Sequence, residues 1–383
     1  MKAVFVSNYY NHHQAAICEE LSRRTEEFSF VATSEMRRER RELGYGTDTV
    51  PNYVFCTHKD KAQRVICEKK IRDADVVLSG SAPERMILPG IYRGKLNFRY
   101  TERLLRKPMG RLKQMQKQVQ LRLQNPGRKP TYLLCSGAYV MSDFSKFGVF
   151  KKKAYRWGYF PETKKYAHID VLMAEKKRSS ILWVGRMIDL KHPEYALEIA
   201  KRLKTDGLAF DLTMIGCGEM EEWLRGQIEE LQLTDCVRLT GSMKPEQVRQ
   251  HMEKCGIFMA TSDRQEGWGA VINESMNSGC AVVASHAMGS VPYLIENEKN
   301  GLIFSSGNTD MLYNKVKDLL EHPEKQAVLG ARAYETITTL WNAETAAQRL
   351  IALSEHILAG EEHPDLFESG PCSRAEILND NWM

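Results

Sequence analysis

The 383-residue sequence contains no run of about 18 apolar residues, the length that a helix needs to cross a bilayer. Its first apolar run, residues 3–6, is also too short for the core of a signal peptide, so we expect a cytoplasmic protein. The nine cysteines are scattered and none forms a Cys-x-x-Cys pair. This spacing disfavours a disulfide framework and a zinc site, and it fits reduced, buried thiols.

The sequence also gives little support for three other kinds of site: a dinucleotide site, the metal site of a D-x-D motif and a histidine metal site. No G-x-G-x-x-G follows the first predicted strand, which disfavours a dehydrogenase. The only D-x-D, at residues 73–75, precedes a predicted strand instead of following one, so it does not support a metal-dependent sugar transferase. His12 and His13 are adjacent but have no third ligand nearby in the sequence. We therefore expect neither a metal nor a cofactor.

Charge is distributed unevenly along the chain. Residues 1–170 contain 33 Lys and Arg against 17 Asp and Glu, a formal charge of +16, whereas residues 171–383 contain 21 against 32, a charge of −11. Between Arg99 and Lys129 there are ten basic residues and one acid, Glu102. The first half of the chain is therefore expected to face an anionic partner.

Within this basic segment, the spacing of Leu112, Met115, Val119 and Leu123 predicts an amphipathic helix, broken near Pro108. A basic amphipathic helix can lie on an anionic membrane surface, as a peripheral protein would on the inner face of the cell membrane. A domain helix with a solvated basic face is the alternative. Nucleic acid is not expected as a partner, because no recognised nucleic-acid module accompanies the charge.

Short apolar runs alternate with longer helical patterns in both halves of the chain. This alternation predicts an α/β fold with parallel sheets and helices on both faces. The predicted strands are residues 3–6, 28–32, 75–79, 95–99, 132–136, 181–184, 211–215, 237–239, 256–260, 281–284 and 302–304. The predicted helices are residues 13–24, 61–72, 83–92, 101–124, 193–204, 219–231, 246–253, 269–278 and 309–321.

The same pattern predicts three parts. Residues 1–165 form a basic Rossmann-like domain, and residues 166–340 form a second Rossmann-like domain. Residues 341–383 form a helix that returns to the first domain, followed by a tail that is either partly ordered or docked on the first half. The domain boundary is expected where the aromatic stretch 155–161 gives way to a polar segment.

Two glycine-containing turns follow the first two predicted strands of the second half. In the first turn, Gly185 and Arg186 end a strand and Lys191 comes five residues later. A guanidinium and an ammonium group at the carboxyl end of a parallel strand suit a diphosphate, although solvated surface charges would give the same pattern. The second turn, with Gly216 and Gly218, carries only part of a dinucleotide fingerprint, so an ordinary strand-to-helix turn is the alternative.

A third segment, after the fourth predicted strand of the second half, carries two carboxylates eight residues apart. Glu266 stands in a turn with Gly267 and Gly269, and Glu274 lies in the helix that follows. The free backbone N–H groups at the start of that helix would suit an anion. Trp268, between the two glycines, favours close packing of helix on strand. Taken alone, Glu274 would also fit an ordinary acid on a helix face.

This pair matches the E-x7-E motif of retaining GT-B glycosyltransferases, and its surroundings resemble family GT4, the glycosyl transferases group 1. The residues that match the family pattern in register are Glu266, Gly269, Glu274, Met276, Gly279, Val282 and Val283. Gly185-Arg186 followed by Lys191 resembles a second family element, and residues 340–344 resemble its terminal segment. The resemblance covers about residues 180–355, and the first half resembles the family only in architecture.

The resemblance implies a GT-B fold, with two Rossmann-like domains whose parallel sheets face each other across a central cleft. It also implies a retaining, metal-independent hexosyltransferase. Arg186 and Lys191 would hold the donor diphosphate and steady the leaving group, and Glu266 would contact the transferred sugar. The implied donor-binding residues are Gly185, Gly216, Gly218, Ser242, Met243, Gly267, Trp268, Gly269 and Glu274, with Glu274 on the ribose and Ser242 and Met243 beside the base.

The first half departs from the family pattern at two places. The loop after the first strand, residues 7–14, lacks the glycines that relatives often have, and Tyr100-Thr101-Glu102 stands where a histidine is common. These departures leave the sugar and the acceptor open. The acceptor-side candidates are Asn11, His12, His13, Tyr100 and Glu102.

The sequence thus predicts transfer of a sugar from a nucleotide-diphosphate donor, with UDP preferred. The acceptor would be a saccharide or a lipid-linked saccharide, in cell-surface polysaccharide synthesis. Two alternatives remain: a nucleotide-sugar enzyme of another class, such as a 2-epimerase, and a non-catalytic nucleotide-sugar-binding subunit. The basic first half favours an enzyme with an acceptor, and the presence of both carboxylates and both cations disfavours a non-catalytic subunit.

Overall fold

The computed structural model describes residues 1–36, 38, 46 and 50–383. The chain divides into two compact units, each made of two segments. The first unit comprises Met1–Glu162 and Trp341–Asn379, and the second comprises Thr163–Leu340 and Asp380–Met383. Among the described residues, no helix is both long enough and apolar enough to span a membrane.

Strands and helices alternate along the described residues. The strands are β1 (Lys2–Ser7), β2 (Glu27–Ala32), β3 (Val54–Cys56), β4 (Val76–Ser79), β5 (Leu96–Thr101), β6 (Thr131–Ser136), β7 (Ala154–Trp157), β8 (Lys177–Val184), β9 (Asp211–Ile215), β10 (Val237–Leu239), β11 (Cys255–Ala260), β12 (Ala281–Ser285) and β13 (Leu302–Phe304). The α-helices are α1 (His12–Arg24), α2 (Lys61–Asp73), α3 (Glu84–Tyr92), α4 (Arg111–Gln124), α5 (Val140–Ser145), α6 (Ile169–Glu175), α7 (Pro193–Thr205), α8 (Glu221–Glu230), α9 (Pro245–Lys254), α10 (Val271–Asn277), α11 (Val291–Leu294), α12 (Thr309–Glu321), α13 (Pro323–Thr339) and α14 (Ala343–Leu358).

Each unit is built on its own sheet. The first sheet has the described order β3-β2-β1-β4-β5-β6-β7, and the second has the order β10-β9-β8-β11-β12-β13. Neighbouring strands are parallel throughout both orders. The expectation of two Rossmann-like parallel sheets is therefore confirmed. The order reverses between β1 and β4 in one sheet and between β8 and β11 in the other, and such switch points are where doubly wound sheets bind ligands.

The sheets lie in apolar cores because their central strands are covered by helices on both faces. All six residues of β6 and all six of β11 are buried, which is why both strands contain few polar residues and no charged ones. In the second unit Trp183 on β8 and Met214 on β9 pack with Leu197 and Leu203 of α7. This packing holds the carboxyl ends of β8 and β9 at one edge of a rigid sheet.

One sequence prediction in the first unit was wrong, and one strand was missed. The helix expected at 101–124 begins only at Arg111, because β5 runs on to Thr101 and Pro108 lies in the non-helical segment that follows. The predicted strands also did not include β7, which overlaps the start of the aromatic stretch and whose residues Ala154, Tyr155 and Trp157 are buried.

The C-terminal tail docks on the first unit. Arg374 pairs with Tyr155 in an antiparallel bridge, and Arg156 N–H donates to Ser373 O at 2.7 Å. The tail thereby covers the outer edge of β7, whose backbone groups would otherwise be unpaired. Of the two possibilities left open for the tail, the structure therefore shows docking for this segment.

Candidate active site

The loops after β8 and β9 are packed directly against each other. Gly185 N–H donates to Ile215 O at 3.0 Å, and Met187 N–H donates to Cys217 O at 2.9 Å. Gly216 has a φ of 139°, and a Cβ placed there would lie 1.9 Å from Gly185 O. Glycine is thus required at 216 by the neighbouring loop.

Gly218 is constrained in the same way, because its Cβ would lie 2.3 Å from Met187 O. The loop after β10 is hydrogen-bonded to the loop after β9. Gly216 N–H donates to Gly241 O at 2.9 Å, and Ser242 Oγ donates to Cys217 Sγ at 3.0 Å. Ser242 is exposed and Met243 half-buried. The structure thus brings the predicted base-side residues beside the glycine turns.

Lys191 and Glu266 form an ion pair across the switch point of the second sheet. Lys191 ends a short 3-10 turn, Asp189–Lys191, in the loop after β8, and Glu266 lies in the loop after β11. Their side chains are 16% and 17% exposed, so the pair is largely shielded but still reachable from solvent. Two charged side chains that are 75 residues apart in sequence thus meet at the edge where a ligand is expected.

Two successive hydrogen bonds connect the backbone of Lys191 to strand β8. The indole N–H of Trp183 donates to Thr261 Oγ1 at 2.9 Å, and that hydroxyl donates to Lys191 O at 2.6 Å. Asp263 N–H also donates to Leu190 O at 2.9 Å. Thr261 and Asp263 were not among the predicted site residues. They position the loop that carries Lys191 through contacts that depend on the register between β8 and β11.

His192 is a third residue that sequence reasoning missed. It adopts the left-handed conformation, with φ 47° and ψ 55°, immediately before α7. Its Nδ1 lies 2.7 Å from Glu194 Oε1, and its Nε2 lies 3.9 Å from Asp263 Oδ2. The hydrogen bond to Glu194 raises the pKa of His192, and the charge of Asp263 adds to this effect. This contact joins the Lys191 loop to the Glu266 loop at a further point.

Arg186 lies in the same loop as Lys191, two residues after the end of β8. Its side chain is exposed, and its guanidinium forms no hydrogen bond or ion pair with any residue that the structure describes. A cation held by neither an acid nor a carbonyl is free to take an anionic ligand. The structure thus places both predicted phosphate-binding cations in one loop, where Lys191 has a carboxylate partner and Arg186 has none among the described residues.

Glu274 lies in the first turn of α10 and is half-buried. Burial raises the pKa of its carboxyl above the usual range, while the charge of Arg249 lowers it. Its carboxylate makes no hydrogen bond or ion pair within the described ranges 1–36 and 50–383. A shielded carboxylate that lacks a partner is suited to accept hydrogen bonds from a hydroxyl-bearing ligand.

The turn between the two carboxylates is held by the loop after β12. Gly269 has a φ of 86°, and Gly289 N–H donates to Glu266 O at 3.3 Å. Trp268 is fully buried, and its indole N–H donates to Asn273 Oδ1 at 2.8 Å. The packing interpretation of Trp268 is therefore the one that the structure shows, and its side chain is not available to a ligand. Gly267 is buried as well.

In the first unit, the acceptor-side candidates gather around a tyrosine that the sequence analysis did not single out. Tyr159 Oη donates to Glu102 Oε1 at 2.5 Å, and its ring stacks on that of His13 at 5.6 Å between centroids. Tyr100 lies 6.1 Å from the same ring, and His12 lies 3.9 Å from His13. These side chains belong to the start of α1, to the end of β5 with the residue after it, and to the segment after β7.

Asn11 has a structural role. Its Oδ1 accepts from His13 N–H at 3.0 Å and so caps the start of α1. Glu102 also forms an ion pair with Arg106. Burial raises the pKa of Tyr100 far above its usual range, so this phenol stays neutral. The cluster therefore offers a ring face and a neutral hydroxyl together with a carboxylate.

Two units, each built on a doubly wound parallel sheet, define the fold class as GT-B. The structure of Anabaena Alr3699/HepE in complex with UDP matches this chain with a TM-score of 0.67, covering 93% of this chain and 100% of that one at 15% identity. Residues 166–336 match the family described as "Glycosyl transferases group 1". This segment, slightly less than half of the chain, is thus similar to that family, in the region where the sequence motifs predicted the resemblance.

Curated relatives match a part of the chain of similar length. Amylovoran biosynthesis glycosyltransferase AmsK of Erwinia amylovora is 30% identical over 187 residues, covering 46% of this chain and 44% of the relative. A GDP-mannose-dependent alpha-(1-6)-phosphatidylinositol monomannoside mannosyltransferase of Mycobacterium tuberculosis is 24% identical over 182 residues, covering 45% of this chain and 46% of the relative. Each alignment spans less than half the length of the relative.

Proposed function

We propose that this protein is a retaining glycosyltransferase that takes a sugar from a nucleotide-diphosphate donor without a metal ion. The observation that carries the proposal is the Lys191–Glu266 ion pair at the switch point of the second sheet, beside the unpartnered Arg186. This arrangement offers two cations to a diphosphate and one carboxylate to a sugar. It lies in the segment that matches the group 1 family.

In the proposed reaction, the diphosphate occupies the space in front of Arg186 and Lys191. When the bond between the anomeric carbon and the diphosphate oxygen breaks, negative charge grows on the leaving diphosphate. Both cations stabilise that charge, Arg186 by a bidentate contact and Lys191 as a point charge. Fixed cations then do what a divalent ion does in metal-dependent transferases, which is the reason for proposing independence of metal.

The two carboxylates divide the remaining work. Glu266, which is paired with Lys191 in this structure, contacts the transferred sugar once the diphosphate competes for the lysine. Glu274 accepts hydrogen bonds from the ribose hydroxyls, which satisfies a carboxylate that has no partner in the described chain. Retention of the anomeric configuration rests on the E-x7-E resemblance.

The acceptor is proposed to be a saccharide or a lipid-linked saccharide. The aromatic ring of Tyr159 and the Glu102 carboxylate, joined by a 2.5 Å hydrogen bond, suit a sugar ring and its hydroxyl groups. One relative is named for amylovoran biosynthesis, and another acts on a phosphatidylinositol monomannoside. These names support a place in cell-surface polysaccharide or glycolipid synthesis, at the cytoplasmic face of a membrane.

The donor base is proposed to be uracil, because a structure of the same fold holds UDP. A relative uses GDP-mannose, so guanine is the competing base. Thermal-shift measurements with UDP-, GDP-, ADP- and CMP-sugars separate these possibilities. The correct donor at about 100 times its dissociation constant adds roughly 2.7 kcal/mol to the free energy of unfolding. Stabilisation by GDP-sugars alone would replace the uracil assignment.

The reaction itself is tested with the donor so identified. We expect transfer to persist in EDTA and the product, analysed by NMR, to keep the donor's anomeric configuration. Loss of activity in EDTA that Mg²⁺ restores would contradict metal independence, and an inverted product would contradict retention. Donor consumption that gives an epimerised sugar without any acceptor would point to a 2-epimerase. Binding without turnover, across a panel of acceptors, would point to a non-catalytic subunit.

A further inference from the structure

Helix α4 carries four apolar side chains on its outer surface. Leu112 is 78% exposed, Met115 64%, Val119 60% and Leu123 61%. Leu121 is the buried residue of this helix. The apolar positions that predicted an amphipathic helix therefore do not face the core of the first unit, as those of an ordinary domain helix would.

Helical geometry places these four side chains in one stripe. At about 100° per residue, Leu112, Met115, Val119 and Leu123 fall within an arc of about 80°. Leu121 lies roughly 160° from the middle of that arc, and Gln118 Nε2 bonds Phe147 O at 3.4 Å on the inner side. The helix is thus attached to the unit by one face and presents an apolar stripe on the opposite face.

Cations flank the stripe on both sides. On the same helical projection, Arg111 and Arg122 lie beyond one edge of the stripe and Lys113 lies beyond the other, and all three are exposed. The helix sequence contains four Lys and Arg and no Asp or Glu. Such a surface is complementary to one that is anionic at its boundary and apolar beneath it.

We propose that α4 docks the first unit onto an anionic lipid bilayer. The helix would lie in the plane of the interface, with the stripe among the acyl chains and the flanking cations among the lipid headgroups. A second copy of the chain fits this surface less well, since pairing two such helices would bring like charges together. This inference does not depend on the catalytic proposal.

The test is flotation of the full-length protein with phosphatidylcholine vesicles, made with and without phosphatidylglycerol. We expect binding to the anionic vesicles and little binding to the neutral ones. Binding should weaken as salt is raised above 0.1 M, where charges are screened over about 10 Å. Equal binding to both vesicle types, or binding to neither, would overturn the proposal. Binding to neither vesicle type would instead favour an acidic protein as the partner of this surface.

Variants separate the stripe from the charges. Replacing Leu112, Met115 and Val119 together by Gln should reduce vesicle binding by about tenfold or more, because a stripe that no longer partitions into the acyl region leaves only the headgroup contacts. Arg111→Gln and Lys113→Gln should each reduce it about fivefold. The control is Trp223→Gln with Val328→Gln, which replaces exposed apolar residues of the second unit (50% and 49% exposed) and should leave binding unchanged.

All of these positions are exposed, so the variants should keep the melting temperature and the donor affinity of the wild type. Wild-type vesicle binding by the folded stripe variant would overturn the proposal. Because flotation needs neither donor nor acceptor, its result is independent of whether the proposed transfer reaction is correct.

Discussion

The indole N–H of Trp183 and the hydroxyl of Thr261 are joined by a buried hydrogen bond of 2.9 Å, and the same hydroxyl donates to the backbone of Lys191. Trp183 belongs to β8 and Thr261 follows β11, so this contact joins the two strands that flank the switch point. The Thr261 hydroxyl thus fixes the loop that carries Lys191, a proposed catalytic cation, relative to the sheet.

Thr261→Val tests this connection, because valine keeps the shape of threonine and removes its hydroxyl. The buried indole N–H would lose its acceptor, which costs about 1–3 kcal/mol of stability. We also expect turnover to fall by about tenfold or more as Lys191 shifts, since small misplacements of catalytic groups are costly. Denaturant unfolding and steady-state kinetics measure the two effects. Thr205→Val, on an exposed helix end, is the control, and wild-type turnover in T261V would argue against a positioning role.

The two cations should be separable from ordinary surface charge. Arg186→Ala and Lys191→Ala should each lower turnover about a hundredfold or more, because each removes a charge that stabilises the leaving diphosphate. Lys201→Ala, an exposed lysine on α7, should leave turnover unchanged. Since Lys191→Ala also leaves Glu266 without its ion-pair partner, the comparison of Lys191→Ala, Glu266→Gln and the double variant separates the loss of the cation from the loss of the pair. If Arg186→Ala and Lys191→Ala both match wild type, the proposed site is wrong.

Glu274→Gln should weaken donor binding and raise the stability of the folded protein. Because burial raises the pKa of this carboxyl, the folded chain holds its proton more tightly than the unfolded chain does. The stability contributed by this carboxyl therefore falls as pH rises from its ordinary pKa through the raised value. We expect E274Q to melt higher than wild type at neutral pH, with the gap closing at acid pH. Donor affinity should fall about tenfold, from the loss of charged hydrogen bonds.

The matched control for that variant is Glu229→Gln, an exposed acid on α8, which should change neither melting temperature nor donor affinity. Calorimetric scans over a pH series measure the first effect, and titration with the nucleotide measures the second. A melting temperature of E274Q below that of wild type at neutral pH would show that the ionised carboxylate stabilises the fold, contrary to the effect expected from its burial.

Replacement by alanine should destabilise the protein at one glycine of the second unit and stabilise it at another. At Gly216 the added methyl would meet Gly185 O at 1.9 Å on a backbone with φ 139°, so we expect a loss of about 3 kcal/mol or more. At Gly226, inside α8, nothing lies within 4 Å, and alanine should stabilise the helix by up to about 1 kcal/mol. Chemical denaturation measures both. A neutral G216A would contradict the tight packing of the two loops.

Much of the fold could be predicted from the sequence, because a parallel strand covered on both faces is apolar along its whole length. Strands β6 and β11, for example, stand out as unbroken apolar runs. Strand β7 did not, since Arg156 interrupts a short aromatic run at the edge of the sheet. Helix α13, residues 323–339, was not predicted either, although its N-terminal proline is a usual start signal.

At the site, spacing predicted which loops carry the charged residues but not what holds those loops. The Lys191–Glu266 pair follows from two strand ends at one edge of a sheet, which the motif already implied. The support from Thr261 could not be read from the sequence, because it depends on the register between β8 and β11. The requirement for glycine at 216 could not be predicted either, because it comes from Gly185 O, which occupies the space that a side chain would need.

The pairing of the tail with β7 bears on the order in which the chain can fold as it leaves the ribosome. The second unit is complete, apart from its last four residues, once Leu340 has been made. The first unit needs α14 and the tail, because Tyr155 Oη bonds Pro364 O and Ala375 N–H bonds Ala154 O. The half of the protein that is synthesised first is therefore the half that is finished last, with one edge of its sheet open in the meantime.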